Sequence, residues 1–396
     1  MLDTPLPTHE IGSLAKPPWR VKAMAGKRLT ANDKEDAKHW GARLKIARRE
    51  ELFSLLENPA HFSREDKRTI QHFSSLYGIK FFESAGLDLV WDGEQHRIEM
   101  YEYPIQRIGG MEFQGHVRSF DNKYYRRAVC KDIPHCETPY HLEEFLAIAK
   151  IASRAIKIPI TGAYTLADWS YDGHYLKDCT PGEADLHSRC KVAREQFIID
   201  LANNVIHPNL KALVNAGARY LQIDEPAALT KRDEAGLFLR SISESIGDLA
   251  GKAFFSVHIC YSHYPRLFPI LDELAEVLDE IHLEYANRDS WQLGTTAKER
   301  TGYNILHNFR NRSFIAGIGV VDIHTDAIEP PELIRDRILY ACEVLQDPQR
   351  IMIAPDCGLR TRTWKAAYQK LQNMVKGRDL ALQALSLTPS SKGEKR

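Results

Sequence analysis

Four side chains able to bind a soft metal ion fall at the ends of three apolar runs. Val257-His258-Ile259-Cys260 carries two of them. Alternation along a strand puts residues two apart on one face, so His258 and Cys260 point the same way and can share one ion. The next apolar run ends in His282-Leu283-Glu284 and offers a carboxylate. The last ends in Ala354-Pro355-Asp356-Cys357-Gly358 and offers a second thiolate. One imidazole, two thiolates and one carboxylate form a nitrogen- and sulfur-rich set that favours Zn2+. A single cysteine in an apolar strand is ordinarily a small core hydrophobe. The signal here is the recurrence of ligand types at three separate strand ends. Cys130, Cys136, Cys179, Cys190 and Cys342 lack such placement and read as core or surface residues.

A second group is acidic. In Gln222-Ile223-Asp224-Glu225-Pro226 two neighbouring acids follow an apolar run, and only one of them can face inward. Asp224 shares parity with Gln222 and Tyr220, which makes it the functional candidate; Glu225, directly before Pro226, suits a helix N-terminus. Trp91-Asp92-Gly93-Glu94 and Val321-Asp322-Ile323-His324 repeat the pattern and add Glu94 and His324.

These residues need a scaffold that brings strand ends together. Strand-like runs are 88–91, 158–166, 220–223, 253–259, 280–283, 314–321 and 350–354, rich in Ile, Val, Phe and Tyr. Helical patterns lie between them at 193–216, 231–246, 264–278, 331–345 and 363–385. Strand then helix, repeated this often, predicts an α/β fold: a single (β/α)8 TIM barrel whose strand C-termini converge on one mouth. Residues 20–80 read as a helical insertion and 101–136 as a hairpin excursion, within one catalytic domain over 1–385. Residues 386–396, rich in Ser, Lys and Gly, read as a disordered tail.

The 396 residues are 43% hydrophobic and 27% charged, with Lys plus Arg equal to Asp plus Glu at 53 each. Zero net charge argues against a nucleic-acid or anionic-membrane partner. The sequence has no apolar run long enough to span a bilayer and no secretory signal pattern near Met1. An odd seven cysteines without a regular framework, taken with this, points to the cytosol, where thiols remain available to metal.

The chain resembles the catalytic C-terminal domain of the cobalamin-independent methionine synthase family. The matching motifs are Ile11-Gly12-Ser13, Asp92-Gly93-Glu94 with Glu99-Met100-Tyr101, Ala167-Asp168-Trp169-Ser170, and Gln222 through Pro226. They continue with His258-Ile259-Cys260-Tyr261, Glu284, Val321 through His324, and Pro355-Asp356-Cys357-Gly358-Leu359-Arg360-Thr361-Arg362. They occur in family order along almost the whole chain. The resemblance implies zinc on His258, Cys260, Glu284 and Cys357. It implies homocysteine bound through Ser13 and the backbone near Ile11 at its carboxylate, and through Glu94 and Asp224 at its amino group. Trp169 and His324 would line the methyl-donor side, with His324 a proton donor. The chemistry agrees: a free thiol is mostly protonated at neutral pH, and coordination to zinc removes that proton. Two thiolates and a carboxylate outweigh the metal's charge, so an added thiolate stays electron-rich and nucleophilic.

Two departures fall on the donor side. Full-length family members carry a second, N-terminal barrel that helps bind a folate polyglutamate tail, and this sequence contains none. The family's folate-side loop, roughly S-x-x-x-R-x-V-K-P-P, is replaced by Ser119-Phe120-Asp121-Asn122-Lys123-Tyr124-Tyr125-Arg126-Arg127. The expected donor is therefore a methylated corrinoid, either methylcobalamin or a corrinoid carrier protein, ahead of methyltetrahydrofolate. Two rival readings remain: zinc-dependent alkyl transfer to another thiol such as coenzyme M, and a non-catalytic barrel stabilised by zinc.

Overall fold

The computed structural model describes residues 4–57, 62–118, 124–179 and 185–387. Its elements, in chain order, begin with helices α1 (Pro18–Met24), α2 (Ala31–Arg43), α3 (Arg49–Glu57) and α4 (Arg64–Ala85), then strand β1 (Leu89–Val90) and the short helix α5 (Glu102–Ile105). Strands β2 (Ile108–Arg118) and β3 (Tyr124–Cys136) follow, then α6 (Leu142–Ala149), β4 (Ala155–Thr161), α7 (Ala163–Asp168) and β5 (Tyr171–Asp172). The second half runs α8 (Leu186–Leu201), α9 (His207–Asn215), β6 (Tyr220–Asp224), α10 (Ala235–Ile246), β7 (Phe254–Ile259), β8 (Glu280–Leu283), β9 (Ile315–Val321), α11 (Pro331–Leu345), β10 (Ile351–Pro355) and α12 (Trp364–Ala384).

Seven strands form one sheet in the order β1-β4-β6-β7-β8-β9-β10, every pair parallel. Each of β6 to β10 is buried on both faces, or nearly so, which is why these segments read as continuous apolar runs rather than alternating ones. The sheet curls. Its first and last strands both reach the N-terminal segment: the His9 N–H donates to Ile353 O and the Ile353 N–H to Pro7 O, each at 2.9 Å. On the other side, the Asp88 and Leu89 N–H groups both donate to Thr8 O at 3.0 Å.

Two expected elements differ. The run 158–166 is a strand only to Thr161, because Gly162 starts helix α7. The helix expected over 264–278 is absent; that segment holds 3₁₀ turns at Tyr264–Arg266 and Leu271–Leu274. Pro265 and Pro269 withhold the N–H groups that a continuous α-helix needs there. The pattern over 193–216 becomes α8 and α9 joined by a π-helical turn at Ala202–Ile206, just before Pro208.

The helices within 20–80 dock on α12 through an aromatic cluster. Trp40 of α2 and Phe81 of α4 pack on Trp364 at ring distances of 5.2 and 4.9 Å, contacts worth about 1 kcal/mol each beyond area burial. Helix α4 is bounded by a capping box between Ser63 and Asp66 and by Gly86 in the left-handed region. Strands β2 and β3 form an antiparallel hairpin that pairs with β5 as a separate small sheet. Tyr101 fastens that hairpin to the main body: its hydroxyl accepts from Ala128 N at 3.0 Å and lies 2.9 Å from Ser170 Oγ. Among the described residues, no helix is long and apolar enough to cross a membrane.

Candidate thiol and metal site

The residues singled out by sequence collect at the C-terminal ends of the parallel strands. His258 is the fifth residue of β7 and Cys260 lies one beyond its end; Glu284 follows β8, and Cys357 follows β10. The ligand atoms of His258, Cys260 and Cys357 all lie within 4.8 Å of one another. His258 Nε2 is 3.3 Å from Cys357 Sγ, while its Nδ1 is 2.8 Å from His282 Nδ1. The second imidazole thus occupies one nitrogen of His258 and leaves the other aimed at the thiols.

The electrostatics of the cluster separate the two thiols. A hydrogen bond from the Cys260 thiol, followed by the nearby His258 ring, brings the Cys357 thiol down to about 5 against the effect of burial. Cys260, giving that bond and buried beside Cys357 and Glu284, is pushed well up. Two thiols and an imidazole this close together form a site able to hold a soft cation.

Glu284 stands beside this trio rather than within it. Its Oε2 accepts from Tyr261 N at 2.8 Å and from the Tyr264 hydroxyl at 3.3 Å, and its Oε1 lies 3.3 Å from His324 Nε2. Burial works to raise this carboxyl, but the His324 and Tyr261 hydrogen bonds hold it below its ordinary value. His324 is clamped from the other side by the Tyr261 hydroxyl, 3.0 Å from Nδ1. Its bond to Glu284 raises the imidazole above the usual histidine value. The turn that makes this possible is tight, with Tyr261 at φ 51°.

Asp356 sets the spacing between the β8 and β10 ends. Its carboxylate accepts from the backbone N–H groups of Tyr285, Ala286 and Asn287 at 2.7–2.9 Å. It can lie this close to β9 because residue 319 is glycine: a Cβ there would fall 2.0 Å from Asp356 Oδ1. Gly358 serves Ser13 in the same way, since a Cβ at 358 would be 2.1 Å from Ser13 Oγ. The Leu359 N–H donates to Ser13 O at 2.7 Å, so Ser13 and Cys357 are held on one short stretch of backbone pairing.

The acidic candidates converge on the same end. Glu94, buried at φ 57° after Gly93, has Oε1 3.7 Å from Arg97 Nη1. Arg97 is itself wholly buried and bound to Glu144, with Nη2 to Oε1 at 2.7 Å. Asp224 is buried and accepts from Gln222 Nε2 at 2.6 Å; burial raises its carboxyl to about 7, with Glu94 adding to the rise. Gln222 Nε2 also donates to Ile11 O at 2.5 Å. Trp169, half-buried at the end of α7, packs on Tyr101 with ring centroids 6.0 Å apart. In the replaced donor-side loop, residues 119–123 lie outside the described set. Arg127 lies over the Tyr171 ring at 3.9 Å and donates to Asp168 O and Ser170 O, each at 3.4 Å.

Glu225 caps a helix, but not the one expected. It accepts from Tyr164 N at 3.1 Å, Thr165 N at 2.8 Å and Thr165 Oγ1 at 2.5 Å, closing the N-terminus of α7. Glu225→Ala strands two buried amides and is expected to lower unfolding free energy by about 2 kcal/mol in urea titrations.

Several buried polar groups near the site were not foreseen: His9, Glu10, Lys157, Arg97 and His282. His282 had a visible sign, being two residues before Glu284 and so on the same strand face. Neither oxygen of Glu10 has a hydrogen-bond partner among the described residues, and burial raises this carboxyl to about 8.

Known proteins resemble this chain over most of its length. A family model described as "Cobalamin-independent synthase, Catalytic domain" matches residues 48–379. A methionine synthase of Thermoplasma volcanium is 39% identical over 317 residues, covering 78% of this chain and 88% of that protein. One of Pyrococcus horikoshii is 34% identical over 381 residues, covering 96% and 94%. A solved B12-independent methionine synthase of Shewanella sp. W3-18-1, in complex with selenomethionine, superposes with a TM-score of 0.72 over 96% of this chain and 99% of that one. At 22% identity, that likeness establishes the fold: an α/β architecture with a curled parallel sheet.

The protein is a methyltransferase built on such a sheet. It belongs to the cobalamin-independent synthase family. The corrinoid donor expected from the sequence finds no support here: the family and its solved relative are both described as independent of cobalamin. That expectation rested on donor-side departures from the family pattern, which do not identify a donor.

Proposed function

We propose that this enzyme transfers a methyl group to the sulfur of homocysteine to form methionine, using Zn2+ bound by His258, Cys260, Cys357 and Glu284 and methyltetrahydrofolate as donor. The observation that carries the reading is the convergence of His258, Cys260 and Cys357 at strand C-termini beside two buried carboxylates, Glu94 and Asp224. The donor atoms fit the ion. Tetrahedral Zn2+ with sulfur and nitrogen ligands separates them by roughly 3.5–3.8 Å, and the His258 to Cys357 distance of 3.3 Å lies near that range. Glu284, the acid at the intervening strand end, stands beside these three and would be the fourth ligand.

When bound, zinc would hold the substrate sulfur as a thiolate at neutral pH. The chain's own residues supply the rest. Glu94 and Asp224 bind the substrate ammonium, and Ser13 with the Ile11 backbone orients the carboxylate. In-line attack forms the sulfur–carbon bond as the methyl–nitrogen bond of the donor breaks. The leaving nitrogen takes a proton from His324, with Trp169 along the face of the methyl donor. The donor assignment is supported by the family's independence of cobalamin.

Two further readings belong with this proposal. Residues 7–9, paired to both β1 and β10, serve as an eighth strand that closes the sheet into a (β/α)8 barrel, one domain over 1–385. The cytosol suits the site, because its two thiols must stay reduced.

The test is a methyl-transfer assay on zinc-loaded protein with homocysteine and each donor in turn, reading methionine by mass spectrometry. Methionine is expected with methyltetrahydrofolate. Turnover only with methylcobalamin would overturn the donor, and no methionine with any donor would overturn the acceptor.

A further inference from the structure

Inside the curled sheet, beneath the acidic pocket, a buried hydrogen-bonded chain links three strands. Lys157 of β4 is wholly buried, and its Nζ donates to Gln222 Oε1 on β6 and to His9 Nδ1 at 2.6 Å. A lysine ammonium has three donors and no acceptor, so the Gln222 atom facing it has to be the carbonyl oxygen. That fixes the amide. Its nitrogen is turned the other way, onto Asp224 Oδ1 at 2.6 Å and Ile11 O at 2.5 Å. His9 Nδ1 also lies 3.1 Å from Glu10 O, and its Nε2 lies 3.3 Å from Glu280 Oε1.

We propose that Lys157 is a positioning residue for the substrate's amino-group pocket, acting through the orientation of the Gln222 amide on Asp224 and the Ile11 carbonyl. The inference rests on the homocysteine reading above. A flipped amide would set its oxygen against a carboxylate and a carbonyl, two repulsions at a buried position, and would turn its NH2 onto the lysine. With Lys157 present only one orientation is satisfied; without it the amide loses the partner that holds its oxygen. Asp224 and Ile11 O would then lose the donors that aim their remaining lone pairs toward the pocket. The register supports this layering: Lys157, Pro159 and Thr161 of β4 pair with Tyr220, Gln222 and Asp224 of β6. Lys157 therefore sits one layer below Gln222, and Gln222 one layer below Asp224.

The experiment compares homocysteine with 4-mercaptobutanoate, which has the same thiol and carboxylate but no amino group. Lys157→Met keeps the volume and removes the donor. The preference for homocysteine in kcat/KM is expected to fall about tenfold, the scale of one hydrogen bond to a charged group, with the change in KM rather than kcat and with zinc content unchanged. A merely structural role would weaken both thiols alike, and an unchanged ratio would overturn the proposal. Gln222→Met tests the same link from its other end and serves if Lys157→Met does not fold. Failure of the underlying reading looks different: the unsubstituted enzyme would then show no preference between the two thiols, or methylate neither.

Discussion

Cys260→Ala is expected to abolish stoichiometric zinc binding and to lower homocysteine methylation by about a thousandfold or more, the scale of losing several kcal/mol of metal-assisted activation. Cys260 and Cys357 share one hydrogen bond and one neighbouring imidazole, so removing either breaks the same cluster. Effects within such a unit are not additive. The Cys260→Ala, Cys357→Ala double variant is therefore expected to be no less active than the poorer single variant, within a few-fold. Thermal unfolding separates this from a structural metal. The two thiols sit at strand ends above a large apolar core, so the melting temperature of Cys260→Ala is expected to move by a few degrees only. A collapse of the fold on losing the ligand would mark the metal as structural.

The second large effect concerns stability. Arg97→Met is expected to destabilise the protein by about 3–5 kcal/mol, because it leaves the Glu144 carboxylate buried without its cation. Arg97 donates Nε to both Glu144 oxygens at 3.1 Å and Nη2 to Pro159 O at 2.7 Å, so one guanidinium ties α6 to β4 and to Glu94. Replacing both partners by apolar residues, as in Arg97→Met with Glu144→Leu, is expected to recover much of the loss in chemical denaturation. The same pair governs acid stability. Burial alone would raise the Glu144 carboxyl, but the Arg97 charge and then the His141 hydrogen bond hold it at about 2. A depressed carboxyl contributes stability that is complete above its ordinary value of 4.5 and is lost as pH falls toward 2, about 3 kcal/mol over that window. His141 acts in the same direction. Burial, then Arg97, lowers its ring from 6.5 to about 4, so its contribution is lost between those values as pH falls. Unfolding free energy measured from pH 7 to pH 3 is expected to fall across both windows, and less steeply in the apolar double variant.

Much of this was legible in the sequence because the sheet is parallel. Strands buried on both faces show as unbroken apolar runs, and β7, β8, β9 and β10 lie within a residue or two of where those runs fall. Helix α11 spans 331–345, bounded by Pro331 at its start, as its periodicity indicated. Parity alone placed Asp224 inward and left Glu225 to cap a helix. What failed has physical causes. Pro265 and Pro269 sit within an otherwise helical pattern and reduce it to two short turns. Lys157, His9 and Gln222 face the interior of a curled sheet and meet partners contributed by other strands; a polar residue in an apolar run carries no sign of its partner on another strand. Glu284 was found by its strand end, but its engagement with Tyr261 and His324 depends on a left-handed turn that a non-glycine residue does not advertise.

The most direct measurement is X-ray absorption at the zinc edge, on purified enzyme before and after adding homocysteine. The expected result is one zinc per chain with two sulfur ligands, rising to three when homocysteine binds. A protein that methylates homocysteine at full rate without metal, or a zinc shell that keeps two sulfurs in the presence of saturating homocysteine, would contradict the account.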